Sequence, residues 1–259
     1  MNRFFRWKVT KETGIAFAAG LAMIALSLLM LPFGGTSMRD TIVSFVLRDV
    51  CMIFGLGVVF VTVLHDKICP DLWSEMGLSK KKWKLSLILD VIFSAGLLAV
   101  FLKEQIPENI LSISNLYAAV YILTAGIFEM LFIYGFLRMS FEKAFGIVPA
   151  ILLTSAFYSF HHAGFQPEFL HLFLVGLMYC SVFYITKNLL IMFPFFWAVG
   201  ALWDVIVSSE AGEGIKNAES FIMALVILLL SAGWIFLRKR RKQHAVQNIH
   251  SHHGDAVQG

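Results

Sequence analysis

The stretch YAAVYILTAGIFEMLFIYGFL, residues 117–137, holds 21 residues and one charged side chain, Glu129. A helix needs about 20 apolar residues, at ~1.5 Å rise each, to cross ~30 Å of hydrocarbon. The stretch therefore reads as a transmembrane helix with an acid buried in it. Seven other apolar runs flank it: Gly14–Phe33, Ile42–Leu64, Leu85–Leu102, Ile147–Phe160, Phe169–Ile185, Leu189–Val207 and Phe221–Leu237. They are continuous rather than alternating, which argues against a β-barrel, and their unequal lengths show no internal repeat. The expected fold is all-α, a polytopic membrane helix bundle of about eight transmembrane helices.

Composition agrees. A chain that is 58% hydrophobic and only 15% charged, against roughly 25% charged in soluble domains, has no means of hiding its apolar side chains from water. Disordered, collagen-like and nucleic-acid-reading chains are excluded on the same ground. Three cysteines, Cys51, Cys69 and Cys180, lack the spacing of a disulfide framework. Arg3, Arg6, Lys8 and Lys11 precede the first run like the basic region of a signal peptide, but that run is long and no small-x-small site closes it. It is expected to be a retained span. Residues 1–242 then form one transmembrane domain, and 243–259 a polar, disordered cytoplasmic tail with four histidines.

The positive charges give the orientation. Of 21 lysines and arginines, 17 fall in segments on the same side of the bilayer as the amino terminus; only Arg39, Lys103 and Lys216 fall on the other, and Arg48 lies within a run. The positive-inside rule places both termini in the cytoplasm, as expected of a multi-pass protein of the cell membrane. The segment from Leu72 to Lys84 mixes tryptophans, leucines and lysines and is expected to lie among the cytoplasmic headgroups.

Ionisable residues within spans mark functional sites by default, because each is costly to insert. Arg48 and Asp49 can neutralise each other near a span end, and Asp90 lies near the cytoplasmic boundary. Glu129 is too deep to reach water by its own length. His161 and His162 end the fifth run, His171 opens the sixth and Asp204 sits late in the seventh. Adjacent helical residues project about 100° apart, so only one of His161 and His162 is expected to share a cavity with Glu129. A carboxylate that takes a proton from water beside an imidazole is a general-base pair.

With these residues in place, the chain resembles the CAAX prenyl protease and bacteriocin-processing (CPBP, or Abi) family of intramembrane peptidases. The family's first motif, Glu-Glu-x-x-x-Arg followed by Gly-x-Leu, corresponds to Glu129 through Leu137. Its second, Phe-x-x-x-His, corresponds to Phe157 through His161. A downstream Phe-x-x-Gly corresponds to Phe173–Gly176, and the third motif, His-x-x-x-Asn or Asp, to Gly200 through Asp204. Met76-Gly77-Leu78 is similar to a Leu-Gly-Leu stretch ahead of the family core, so the resemblance covers about residues 70–207. It implies a catalytic set of Glu129, His161 and Asp204, with the glutamate and histidine activating water. Three positions depart from the pattern: Met130 replaces the second glutamate, Tyr134 the arginine and Gly200 the third-motif histidine. Loss of one oxyanion donor commonly costs ~10²–10³ in rate.

Three functions are compatible with the sequence. The first is an intramembrane endopeptidase that cleaves a membrane-associated peptide or protein near the cytoplasmic leaflet. The second is a catalytically impaired relative that binds a membrane protein, as an immunity or scaffold factor. The third, a small transporter, lacks the symmetric broken half-helices of that class. Expected partners are the bilayer and the membrane-associated substrate, with no nucleic acid. No His-Glu-x-x-His is present, so no cofactor and no dedicated metal are expected. Counted from the cytoplasmic ends of the runs, Glu129 is expected to lie about 9 Å shallower than His161.

Overall fold

The computed structural model describes residues 3–35, 37–67, 71–79, 82–104, 111–164, 168–190, 192, 200–201 and 213–255. These are helical, with no strand among the described residues. The main helices are α1 (Lys11–Leu28), α2 (Met38–His65), the short α3 (Leu72–Met76), α4 (Trp83–Glu104), α5 (Ile113–Phe145), α6 (Ile147–His161), α7 (Phe169–Thr186) and α8 (Ala218–Asp255). Five stretches are long and apolar enough to cross a bilayer: Lys11–Phe33, Met38–His65, Ile113–Phe145, Phe169–Thr186 and Ala218–Arg241. The protein is a polytopic helical membrane bundle. The expected run Leu189–Val207 lies mostly outside the described residues.

In a bilayer no hydrophobic force drives helices together, so close packing must do so, through small residues at the contacts. Two glycines show this. A Cβ at Gly176 of α7 would sit 2.9 Å from Ser155 Cα on α6, and one at Gly57 of α2 would sit 2.9 Å from the Phe128 ring and 3.2 Å from its Cα on α5. Phe128, Phe132 and Phe136 then form a ladder on α5, with Phe60 of α2 edge-on to the latter two. Two segments are π-helical, Phe45–Phe60 in α2 and Glu129–Leu137 in α5. Such wide turns are frequent at functional sites, and the second begins at the acid singled out by the sequence.

The two ends of the bundle differ chemically. At one end, the amino-terminal segment hydrogen-bonds along the α5–α6 junction, Arg6 N–H to Phe145 O at 2.9 Å and Lys8 N–H to Ala144 O at 2.8 Å. The Arg6 guanidinium also donates to Glu142 O. Beneath it Arg138, 2% exposed, donates to Tyr134 O, Glu142 Oε2 and Met76 O, and stacks its guanidinium 3.8 Å from the centre of the Phe183 ring. At the other end Gly164 N–H donates to Ser27 Oγ, and Tyr117 packs against Phe221.

The structure adds detail to the sequence reading in two places. Leu72 and Met76 are buried, with Met76 packed against Gly135, and Gly77 (φ +96°) ends α3 in the left-handed conformation that glycine adopts freely. This part of the Leu72–Lys84 segment packs its two apolar side chains into the bundle from one helical face. The tail expected to be disordered from residue 243 continues α8 as a helix to Asp255. Extending an existing helix avoids the cost of nucleation.

Candidate active site

Glu129 is the residue at which α5 changes from α- to π-helical hydrogen bonding, and it is buried. Its Oε1 lies 3.3 Å from His161 Nε2 and 3.6 Å from His162 Nε2. The expected depth mismatch disappears because α5 runs on to Phe145. From Phe145, Glu129 lies about 24 Å deep, and from Ile147, His161 lies about 21 Å deep.

The sequence reading allowed one histidine at the site, and the structure places two there. The reason lies in the end of α6. His162 is the C-cap residue and its N–H turns back to Ser159 O rather than Tyr158 O. Carbonyls in the last turn of a helix lack their regular intrahelical partners. Here Tyr158 O accepts from both imidazoles, His161 Nδ1–H at 2.6 Å and His162 Nδ1–H at 2.9 Å. The rings lie 3.8 Å apart, centre to centre. Because the carbonyl can only accept, the Nδ1 atoms carry hydrogen and each Nε2 turns toward Glu129. The sequence signal for His162 was its place immediately after the helix, where the 100° fan no longer applies.

The remaining candidates are distributed differently. Asp204 lies outside the described residues. Arg48 is bound to Asp49 (Nε to Oδ1, 3.1 Å), and the Tyr121 hydroxyl also donates to that carboxylate at 2.9 Å. This neutralised pair lines the cavity described below through Arg48 and Tyr121. Asp90 is buried in α4 and does not line it. His171 is exposed.

The three departures from the family pattern are filled by packing. Met130 and Tyr134 are buried core residues. The Tyr134 ring lies 5.5 Å from Tyr158 and 5.7 Å from Tyr179. A Cβ at Gly200 would collide with the Tyr179 hydroxyl. The third-motif position thus has a tyrosine hydroxyl where a side chain at 200 would begin.

Glu129, His161 and His162 form one wall of a cavity of about 500 Å³ whose other lining includes Met30, Gly34, Met52 and Met223. One ligand atom from each of the three residues falls within 4.8 Å of the others. They fit a metal ion. A tetrahedral zinc with ~2.0–2.1 Å bonds has ligand–ligand edges of about 3.4 Å, against the observed 3.3 and 3.6 Å. The Nδ1–H bonds to a backbone carbonyl are also the outer-shell support that metal-bound histidines carry. No dedicated metal was expected from the sequence, since the ligands come from two helices and a cap rather than one local motif.

The fold and this cluster define a membrane-embedded protein with a glutamate–histidine site inside its helices. Residues 111–206, a segment that contains Glu129 and His161, match the model of the type II CAAX prenyl endopeptidase Rce1-like family, which supports the resemblance to the CAAX-protease and bacteriocin-processing family. No curated protein and no solved structure matches the chain.

Proposed function

We propose that the protein is an intramembrane endopeptidase acting on a membrane-associated polypeptide, with Glu129 as the base that activates water. The observation that carries this reading is the convergence of one carboxylate oxygen and two imidazole Nε2 atoms within 3.6 Å at a buried cavity wall. Water between Glu129 and the scissile carbonyl gives its proton to the carboxylate as its oxygen bonds to the carbonyl carbon. That proton is shared between the carboxyl and His161 Nε2, 3.3 Å away, so that the imidazole can donate to the resulting oxyanion. The proton held by Glu129 passes to the amide nitrogen as the C–N bond breaks, releasing a carboxylic acid and an amine. The Tyr158 carbonyl keeps both rings oriented throughout.

The metal-compatible edges favour a second reading. A divalent ion held by Glu129, His161 and His162 would supply Lewis-acid activation of water. The experiment is processing of a membrane-anchored reporter by purified protein in vesicles, with wild type, Glu129→Gln, and wild type treated with phenanthroline. Loss with Glu129→Gln but not with chelator supports the base; loss with both supports the metal. Full activity of well-folded Glu129→Gln rejects hydrolysis at this site, and no processing by well-folded wild type leaves the binding or scaffold role.

A further inference from the structure

We infer that the Glu129–His161–His162 site is served from the non-cytoplasmic side of the membrane. Its substrates are then polypeptide segments exposed on that face, which reverses the expectation of cleavage near the cytoplasmic leaflet. The word substrate rests on the proposed peptidase activity; the side of access does not.

The orientation of the bundle comes from its charges. Arg6, Lys8, Arg138, Lys143 and Lys187 gather at one end, where the chain joins α5 to α6 and ends α7. Positive charge of this density marks the cytoplasmic end of a membrane protein. The cavity lies toward the other end. Gly34 and Gly35 between α1 and α2, and Asn217 and Glu219 at the start of α8, form its rim. All four lie at or next to helix ends remote from the basic cluster. His161, the last residue of α6, lies about 21 Å along that helix from Ile147 at the basic end, and Glu129 lies midway along α5.

Among the described residues, the basic end is packed between the site and that face. Leu72, Met76 and Leu137 are buried there, and Arg138 ties α3 to α5 by its bond to Met76 O. A second cavity of about 290 Å³ opens among Arg6, Lys8 and Lys143, but it stops at Leu72 and Phe136 and includes none of the three site residues. The open cavity carries the unbranched, adaptable side chains of Met30, Met52 and Met223 beside the neutralised Arg48. Methionine walls accommodate varied apolar groups, so the fitting ligand is an extended segment with apolar side chains.

The test is accessibility to a membrane-impermeant maleimide in intact cells. The background is the full chain with Cys51, Cys69 and Cys180 replaced by serine. Gly34→Cys is suited to the rim because a Cβ there meets nothing within 4 Å. Lys143→Cys reports the basic end, where its side chain is 51% exposed. Labelling of Gly34→Cys in intact cells, with Lys143→Cys labelled only after permeabilisation, is the expected result. Any other pattern overturns the inference. This readout needs no activity, so an inactive protein labelled as expected would reject the peptidase reading alone. Where processing is measurable, a bulky label at Gly34→Cys should lower it at least tenfold in intact cells, and unchanged processing counts against access by this route.

Discussion

Glu129 and His162 lie 3.6 Å apart, although His162 follows His161, which also faces Glu129 at 3.3 Å. Two neighbouring residues can meet one carboxylate because the helix stops between them. If both imidazoles act, replacing either by phenylalanine should reduce processing ~10²-fold or more while leaving expression unchanged. Glu129→Gln should remove it. Reporter cleavage with each purified variant at matched protein levels checks this, and a fully active His162→Phe would limit the working pair to Glu129 and His161.

Restoring the family's third-motif histidine should not restore a family-like site. The Tyr179 hydroxyl occupies the position of a Cβ at residue 200, so Gly200→His must displace the buried Tyr179 ring. We expect a lower Tm in detergent and no gain in rate. Gly200→His with Tyr179→Ala removes the obstruction and should recover most of the lost Tm.

The contact between α6 and α7 is similarly strict. Gly176→Ala brings a methyl to 2.9 Å from Ser155 Cα, an obstacle of backbone rather than a flexible side chain. Overpacking of this kind costs about 1–3 kcal/mol. Thermal unfolding should show that loss, whereas Gly233→Ala, where a Cβ meets nothing within 4 Å, should stay close to wild type.

Lys187, just beyond α7, is half buried over the Tyr184 ring, and burial pulls its pKa down to about 8 from an ordinary 10.5. Between those values the unfolded chain binds more protons at this lysine than the folded one, so its contribution to stability rises with pH across that window and is lost as pH falls through 8. Comparing unfolding from pH 7.5 to 10.5, Lys187→Met should flatten that rise. An unchanged pH slope would show that the lysine is solvated in both states.

The membrane class was legible because charge is so scarce in this chain: an acid in the middle of residues 117–137 stands out when its neighbours are apolar. The partnership of Glu129 with His161 followed from motif order. His162 did not, because a periodic helix was extended one residue beyond its actual end. The burial of Leu72 and Met76 was not legible for a related reason, as five residues of helix give too short a pattern to reveal a buried face. The packing of Tyr179 at Gly200 was invisible, since it depends on contact between α7 and a residue twenty-one positions along the chain.

The shared acceptor at Tyr158 has a further consequence. One carbonyl fixes both imidazoles, so the two histidines form a single mechanical part. A substitution that unwinds the last turn of α6 would swing both rings together and disable the site in one step, without touching any of its three functional side chains.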